Sequence, residues 1–343
     1  MEAFLLALLT LTLLVNSTFC QNLQIHFYNT SCPQAEIVSK NISTQFFTAD
    51  PSLPAGLLRL QFHDCWTRGC DGSVLIDSTE QNIAEKEAPP NLTLRGFEVI
   101  DAIKAVLEKE CQGIVSCADI LAMATRDGCA FAGGSAYDLK TGRRDGTISI
   151  MSEVNMPGPS FSVSEALANF EAKGLDLDDL ITLLGGHSMG FAHCGFFLDR
   201  LYNFDGSGQP DPTISPNTLQ TLLNACPQSL ESNTNVSLDP KVFINQDTST
   251  PFKLDSSFYQ AVLAAEAVLQ LDQELAFGNS TLPVVNDYVA KPDNFRKKFA
   301  KAMIKLTEVQ VKTGQEGEIR LNCSVVNPVG SPNSAPSLAP SPN

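Results

Sequence analysis

Four histidines, His26, His63, His187 and His193, limit where proton or metal chemistry can sit in this chain. His63 stands in the run Arg59-Leu60-Gln61-Phe62-His63-Asp64-Cys65. On a helix, positions 59 and 63 are one turn apart and share a face, which sets a guanidinium beside an imidazole. The cation disfavours imidazolium and holds the ring neutral, the state a general base needs. The arginine, charged at any working pH, can stabilise an anion forming at the same point. A surface helix whose Arg and His merely meet water is the plain alternative. His187 lies in Leu183-Leu184-Gly185-Gly186-His187-Ser188-Met189-Gly190, where two glycines let a flat body approach the backbone. A metal-ligating imidazole normally gives its other N–H to a carboxylate, although a buried structural histidine carries the same local signature. His26, with no charged partner near it in sequence, reads as structural. So does His193, which six residues place on a different helical face from His187.

The stretch after His63 spaces oxygen ligands at Asp64, Asp71 and Ser73 around a tight loop that a Cys65–Cys70 bridge would close. Two carboxylates, a hydroxyl and backbone carbonyls suit calcium, a hard cation that takes six to eight oxygens. The spacing is not that of an EF-hand, and a turn without metal has the same composition.

Helices must carry most of these residues. Phe97, Ile100, Ile103 and Val106 form one apolar stripe, and Phe295, Phe299, Met303 and Leu306 another. Further helices are expected over Pro33 to Ala49, Leu53 to Asp64, Cys117 to Phe131, Phe161 to Ala172, Asp176 to Leu184, Met189 to Leu201 and Ser256 to Leu269. Alternating strand patterns are scarce, so the class is mostly α, with about ten helices joined by Gly/Pro-bearing loops. The chain shows no repeat of fixed period.

Composition narrows the setting. The 343 residues carry a formal charge of −15, a sign that argues against nucleic acid as partner. Phe4 to Val15 is an apolar run followed by small or polar residues, as in a secretory signal peptide covering 1–20, though without a basic start. No later run is long and apolar enough for a membrane span. Export makes cysteines informative. Nine remain after Cys20 leaves with the signal, enough for at most four bridges and one free thiol. Six N-x-S/T sequons begin at Asn29, Asn41, Asn91, Asn235, Asn279 and Asn322. Residues 328–343, rich in Pro, Ser and Asn, read as a flexible extension after a single domain over 21–327.

Taken together, these stretches resemble the plant secretory (class III) haem peroxidases. The likeness runs from Phe27-Tyr28 and Ser31-Cys32-Pro33 to Gly317-Glu318-Ile319-Arg320-Leu321-Asn322-Cys323. Between them lie the Arg59 to Ser73 block, Arg95-Gly96-Phe97, Ser116-Cys117-Ala118-Asp119, Gly142-Arg143-Arg144-Asp145, Gly186-His187, Arg200-Leu201-Tyr202-Asn203-Phe204 and Asp272-Gln273. The resemblance implies a haem-peroxidase fold with haem b between distal and proximal halves, and an enzyme that reduces hydrogen peroxide and oxidises phenolic donors in two one-electron steps. It makes His187 the haem ligand and Asp272 its partner. His63, Arg59 and Asn91 become the distal catalytic set, Glu85 orients Asn91, Phe62 narrows access, and Pro157 lines the donor approach.

It also implies two calcium ions. The distal one would be held by Asp64, Thr67, Gly69, Asp71 and Ser73, and the proximal one by Ser188, Asp247, Thr250, Lys253 and Asp255. The implied disulfides are Cys32–Cys111, Cys65–Cys70, Cys117–Cys323 and Cys194–Cys226, which leaves Cys129 as a buried free thiol. Asp119 and Arg143 would form a buried ion pair. A secreted monomer is expected, in the wall or, through the tail, the vacuole. The chain departs from the family at Trp66, where Phe is usual, at Gly72, where Ala is usual, at Ser188, Leu254 and Ser256 near the proximal metal, and at Gln246 and Met156. Asn91 sits in a sequon, yet its distal role requires it bare. Two other readings remain: a calcium-stabilised matrix protein without haem chemistry, and an oxidase or catalase with a different electron donor.

Overall fold

The computed structural model describes residues 22–232, 236–245 and 249–334. The signal segment 1–20, Asn235, Gln246, Asp247 and residues 335–343 lie outside the described residues.

Twelve α-helices are found among the described residues. In chain order they are α1 (Ala35–Ala49), α2 (Leu53–Thr67), α3 (Phe97–Glu110), α4 (Cys117–Phe131), α5 (Val163–Glu171) and α6 (Leu177–Leu184). Then follow α7 (Leu198–Tyr202), α8 (Pro216–Ala225), α9 (Ser257–Leu263), α10 (Gln270–Glu274), α11 (Leu282–Ala290) and α12 (Pro292–Thr307). Two small antiparallel ribbons complete the fold: β1 (Gln24–Ile25) with β2 (Lys140–Thr141), and β3 (Phe191–His193) with β4 (Lys241–Phe243).

Local chemistry explains most of the ends. Ser162 and Asp176 each close a capping box, with Glu165 and Asp179 at the third helical position satisfying the free amides of the first turn. Ser116 caps α4 through Asp119 N–H, and Pro54, Pro216, Pro283 and Pro292 fall in first turns, where their missing N–H costs nothing. Phe295, Phe299, Met303 and Leu306 are all buried, so that stripe faces the core as its spacing predicts.

Two expected helices are corrected. Met189 to Leu201 is not one helix, because Gly190 takes φ +102° and Phe191–His193 pairs as a strand with Lys241–Phe243. Only Leu198–Tyr202 is α-helical there. The helix expected over Ser256 to Leu269 stops at Leu263, since Ala265 turns left-handed at φ 61°.

Two apolar clusters pack on α2, whose remaining face borders a cleft. One is built from α1, α3 and α4 with Leu53, Leu57 and Leu60 of α2; the other gathers α5, α6, α9, α11 and α12 with Cys65 and Trp66 of α2. Helix α2 therefore stands between them. The buried Arg143–Asp119 pair, 2.8 Å apart, ties the halves: Asp119 also accepts from Tyr28 Oη, and Arg143 donates to the Thr307 carbonyl. The bonded cysteines are Cys32–Cys111, Cys65–Cys70, Cys117–Cys323 and Cys194–Cys226, the pairs the resemblance implies, with Cys129 free and buried. The start of the 328–343 extension folds back on the body, where the Asn333 carbonyl accepts from Ile319 N–H and Asn327 Nδ2. No helix among the described residues is long and apolar enough to cross a membrane.

Candidate active site

The cleft, about 450 Å³ in volume, has His63 on one wall and His187 on the other. Arg59, Phe62 and His63 reach it from α2, in keeping with their spacing of three to four residues. His63 Nδ1 lies 2.6 Å from Asn91 Oδ1, and Asn91 Nδ2 donates to the Glu85 carbonyl at 2.7 Å. That second bond fixes which end of the amide faces the ring. Asn91 Oδ1 can only accept, so the ring proton sits on Nδ1 and Nε2 is left as the basic nitrogen. Burial, and then the Arg59 charge, hold the His63 pKa well below its ordinary value. The cation thus acts in the expected direction but is second to desolvation.

Glu85 orients Asn91 through its backbone carbonyl, not its carboxylate. Asn91 is 3% exposed with both side-chain polar atoms bonded, which leaves no room for a glycan at that sequon. Arg59 is anchored by Thr93 Oγ1 at 2.9 Å and the Pro90 carbonyl at 2.6 Å, and burial lowers its pKa to about 10.

His187 sits in the 3₁₀ turn Gly185–Ser188 that continues α6. Its Nδ1 lies 3.0 Å from each Asp272 oxygen; Asp272, on α10, is buried, while the imidazole remains 35% exposed and opens into the cleft. A carboxylate on one nitrogen orients the ring and strengthens the other as a metal ligand. The two glycines divide their work. Gly186 lines the cleft, but a Cβ on Gly185 would come within 2.5 Å of Tyr259 Oη and Phe295 Cε2, so Gly185 serves core packing.

Sequence reasoning missed several cleft residues. His193 lines it from β3 rather than from the far face of a helix; its Nδ1 donates to the Asp239 carbonyl at 3.1 Å, and burial lowers its pKa. Phe196 stands 6.0 Å from the Arg59 guanidinium, and Phe191 carries Lys241 Nζ 4.5 Å above its ring. Pro157 and Met156 lie at the mouth. His26 is no part of the site; it is exposed at φ 61°, and its Nδ1 lies 3.6 Å from Glu36, an acidic partner that proximity in sequence does not show.

Below His63 the distal loop closes on itself. Asp64, Asp71 and Ser73 are wholly buried, and Asp64 accepts from Gly72 and Val74 N–H. Burial and the Asp71 charge push Asp64 well above the carboxylate range. Ser73 Oγ, Thr67 Oγ1 and both Glu85 carboxylate oxygens make no hydrogen bond of normal geometry. Lys312 Nζ approaches Asp71 Oδ2 at 3.0 Å. On the other side, Thr250 Oγ1 donates to Asp255 Oδ2 and Asp255 N–H donates to Ser188 Oγ, each at 3.3 Å, while Lys253 N–H closes a turn on the Thr250 carbonyl. Ser188, Thr250 and Asp255 thus come together, and the expected Asp247 lies outside the described residues.

The family model described as "Peroxidase" matches residues 38–291. Peroxidase 57 of Arabidopsis thaliana is 42% identical over 321 residues, covering 94% of this chain and 97% of the relative. Peroxidase 5 of Vitis vinifera is 44% identical over 308 residues, 89% and 92% of the two chains. Peroxidase 3 of Arabidopsis thaliana reaches 44% over the same span and shares. With a family match over most of its length and relatives this close from end to end, the chain belongs to the plant class III peroxidases, haem-dependent oxidoreductases that act on hydrogen peroxide.

Proposed function

We propose that the cleft holds one haem b between His187 and His63 and that the enzyme uses peroxide to oxidise small phenolic donors. The observation that carries this reading is the pair of oriented imidazoles facing one cleft, His187 tied to Asp272 and His63 tied to Asn91. The fit to a flat macrocycle is good. The cleft is largely apolar, Gly186 carries no side chain into it, and His187 Nε2 is free to ligate iron. When bound, haem would supply a redox-active iron for the reduction of peroxide and the one-electron oxidation of donors.

The protein's own groups move the protons. Neutral His63 takes a proton from peroxide at Nε2 and delivers it to the departing oxygen, while the Arg59 guanidinium carries the charge that develops there. Asn91, held by the Glu85 carbonyl, keeps the correct tautomer throughout. Asp272 holds the His187 ring in place and makes it a stronger electron donor to its metal. Phe62 narrows the distal side, and the mouth at Pro157 admits flat donors to the cofactor edge.

We also assign calcium to the loop of Asp64, Thr67, Gly69, Asp71 and Ser73, on the strength of its buried carboxylates crowded together with Glu85 and of hydroxyls that make no hydrogen bond of normal geometry. A second ion fits Ser188, Thr250 and Asp255, with the Lys253 carbonyl and Asp247 completing the set. Secretion through the 1–20 segment accords with four disulfides. An absorption spectrum before and after stoichiometric peroxide tests the whole reading. A Soret band that shifts with peroxide and returns on adding a phenol is expected. Absence of the band from protein refolded with haem and calcium would leave the matrix-protein reading.

A further inference from the structure

We propose that Trp66 is a redox-active residue: it gives one electron to the peroxide-oxidised enzyme and holds the vacancy as an indole radical when no donor is present. The inference rests on the peroxidase reading, which supplies the oxidant.

Trp66 is the only tryptophan in the chain. It follows Phe62 by one helical turn on α2, and the two rings stack at 4.3 Å between centroids with planes 21° apart. Phe170 also packs on the indole, at 4.6 Å, and lies 6.2 Å from Phe62. Phe62 and Phe170 both line the cleft, so the indole forms a second layer against the cofactor space, one ring removed. It is 2% exposed, out of reach of any donor in solution.

Indole and phenol are the side chains most readily oxidised by one electron, so the five tyrosines are the competitors. None of them lines the cleft. The strongest is Tyr259, linked to His187 through Phe258 by centroid spacings of 4.9 and 6.1 Å. A phenol must shed its proton when oxidised, and Tyr259 Oη donates to the Ile181 carbonyl, which is no base. An indole can keep its proton and remain a cation, and a parallel stack on Phe62 spreads that charge.

The balance is complete without further reagents. Peroxide takes two electrons from the loaded enzyme: its own two protons leave on one oxygen as water, by way of His63, and the second oxygen is held until donor electrons and solvent protons complete its reduction. One electron leaves the Trp66 π-system to fill one of the two deficits, no bond breaks, and the Nε1 proton stays in place. A donor electron arriving through the cleft later restores the indole. In the absence of donor the radical persists and becomes the point of oxidative damage.

The test mixes the haem-loaded enzyme with one equivalent of peroxide without donor, freezes it, and records absorption and electron paramagnetic resonance on the same sample. The expected result is an organic radical whose hyperfine pattern narrows when the protein carries ring-deuterated tryptophan, and which is lost in Trp66→Phe. The variant is accepted only if its resting Soret band is normal; otherwise the deuterated wild type decides alone. A radical that ignores tryptophan deuteration, or no radical at all, overturns the proposal while a normal peroxide-induced absorption shift leaves the peroxidase reading standing. No absorption shift with peroxide sinks both.

Discussion

At the scale of single residues, the distal pair makes two sharp predictions. Replacing His63 with Leu should slow peroxide cleavage by about 10²–10⁴-fold, the usual worth of a positioned base, while haem stays bound. Stopped-flow absorption measures it, and a near-normal rate would remove His63 from its role. The pH dependence has a definite sign. His63 acts as the free base, and its pKa is depressed well below the ordinary value, so the rate should stay flat as pH falls through 6.5 and decline only well below it. A midpoint at 6.5 in the stopped-flow profile would mean that the ring is neither desolvated nor opposed by Arg59. Cys129 is a third case. Burial pushes its thiol up to about 12, so it should resist alkylation at pH 8 in the native protein and react once unfolded, as read by mass spectrometry.

At the scale of elements, the distal loop closes the C-terminal end of α2, the helix that carries Arg59 and His63. Asp64 directly follows His63, so a cation held there steadies the base as well as the loop. Removing calcium with a chelator should lower the melting temperature and slow peroxide cleavage, and re-adding calcium should restore both. An apoprotein of unchanged melting temperature would argue for a metal-free turn. The turn before His187 offers a packing test. Gly185→Ala would force a Cβ into Tyr259 and Phe295, and overpacking of this kind costs about 1–3 kcal/mol. Denaturant unfolding checks it, and a neutral result would mean that α12 gives way.

The sequence reading worked at this scale wherever a pattern is local. The expected spans match α1, α2, α4 and α6 to within a few residues, and the Phe295 to Leu306 stripe falls on α12. It failed over Met189 to Leu201, where apolar residues at helical spacing are claimed instead by strand pairing with a segment about fifty residues later.

At the scale of the whole molecule, the longest link is Cys117–Cys323, which joins positions 206 residues apart and staples the start of α4 to the C-terminal segment. The chain-entropy model puts its stabilisation at ~5 kcal/mol, an upper-end figure for a loop of that length. Mutating both cysteines to serine should lower unfolding stability by several kcal/mol, measured at constant haem and calcium. A negligible change would show that the Arg143–Asp119 pair and the Asp145 bonds to Cys117 N–H and Arg320 N–H already hold the ends.

Sequence by itself determined the residues that share a helical turn. Arg59, Phe62 and His63 on one face, the ligand-rich loop from Asp64 to Ser73, and the glycines before His187 are consequences of spacing, since a helix brings i, i+3 and i+4 together whatever the rest of the chain does. The resemblance added distant partners such as Asp272 and Asn91, but not which atom of Glu85 holds Asn91. Tertiary structure decided that Glu85 supports Asn91 with its carbonyl, that Gly185 faces the core and Gly186 the cleft, and that His193 and Phe196 belong to the site. Those contacts join residues that only packing makes neighbours. His187 and Asp272 are 85 positions apart, and no local periodicity can place two side chains at that separation within 3.0 Å.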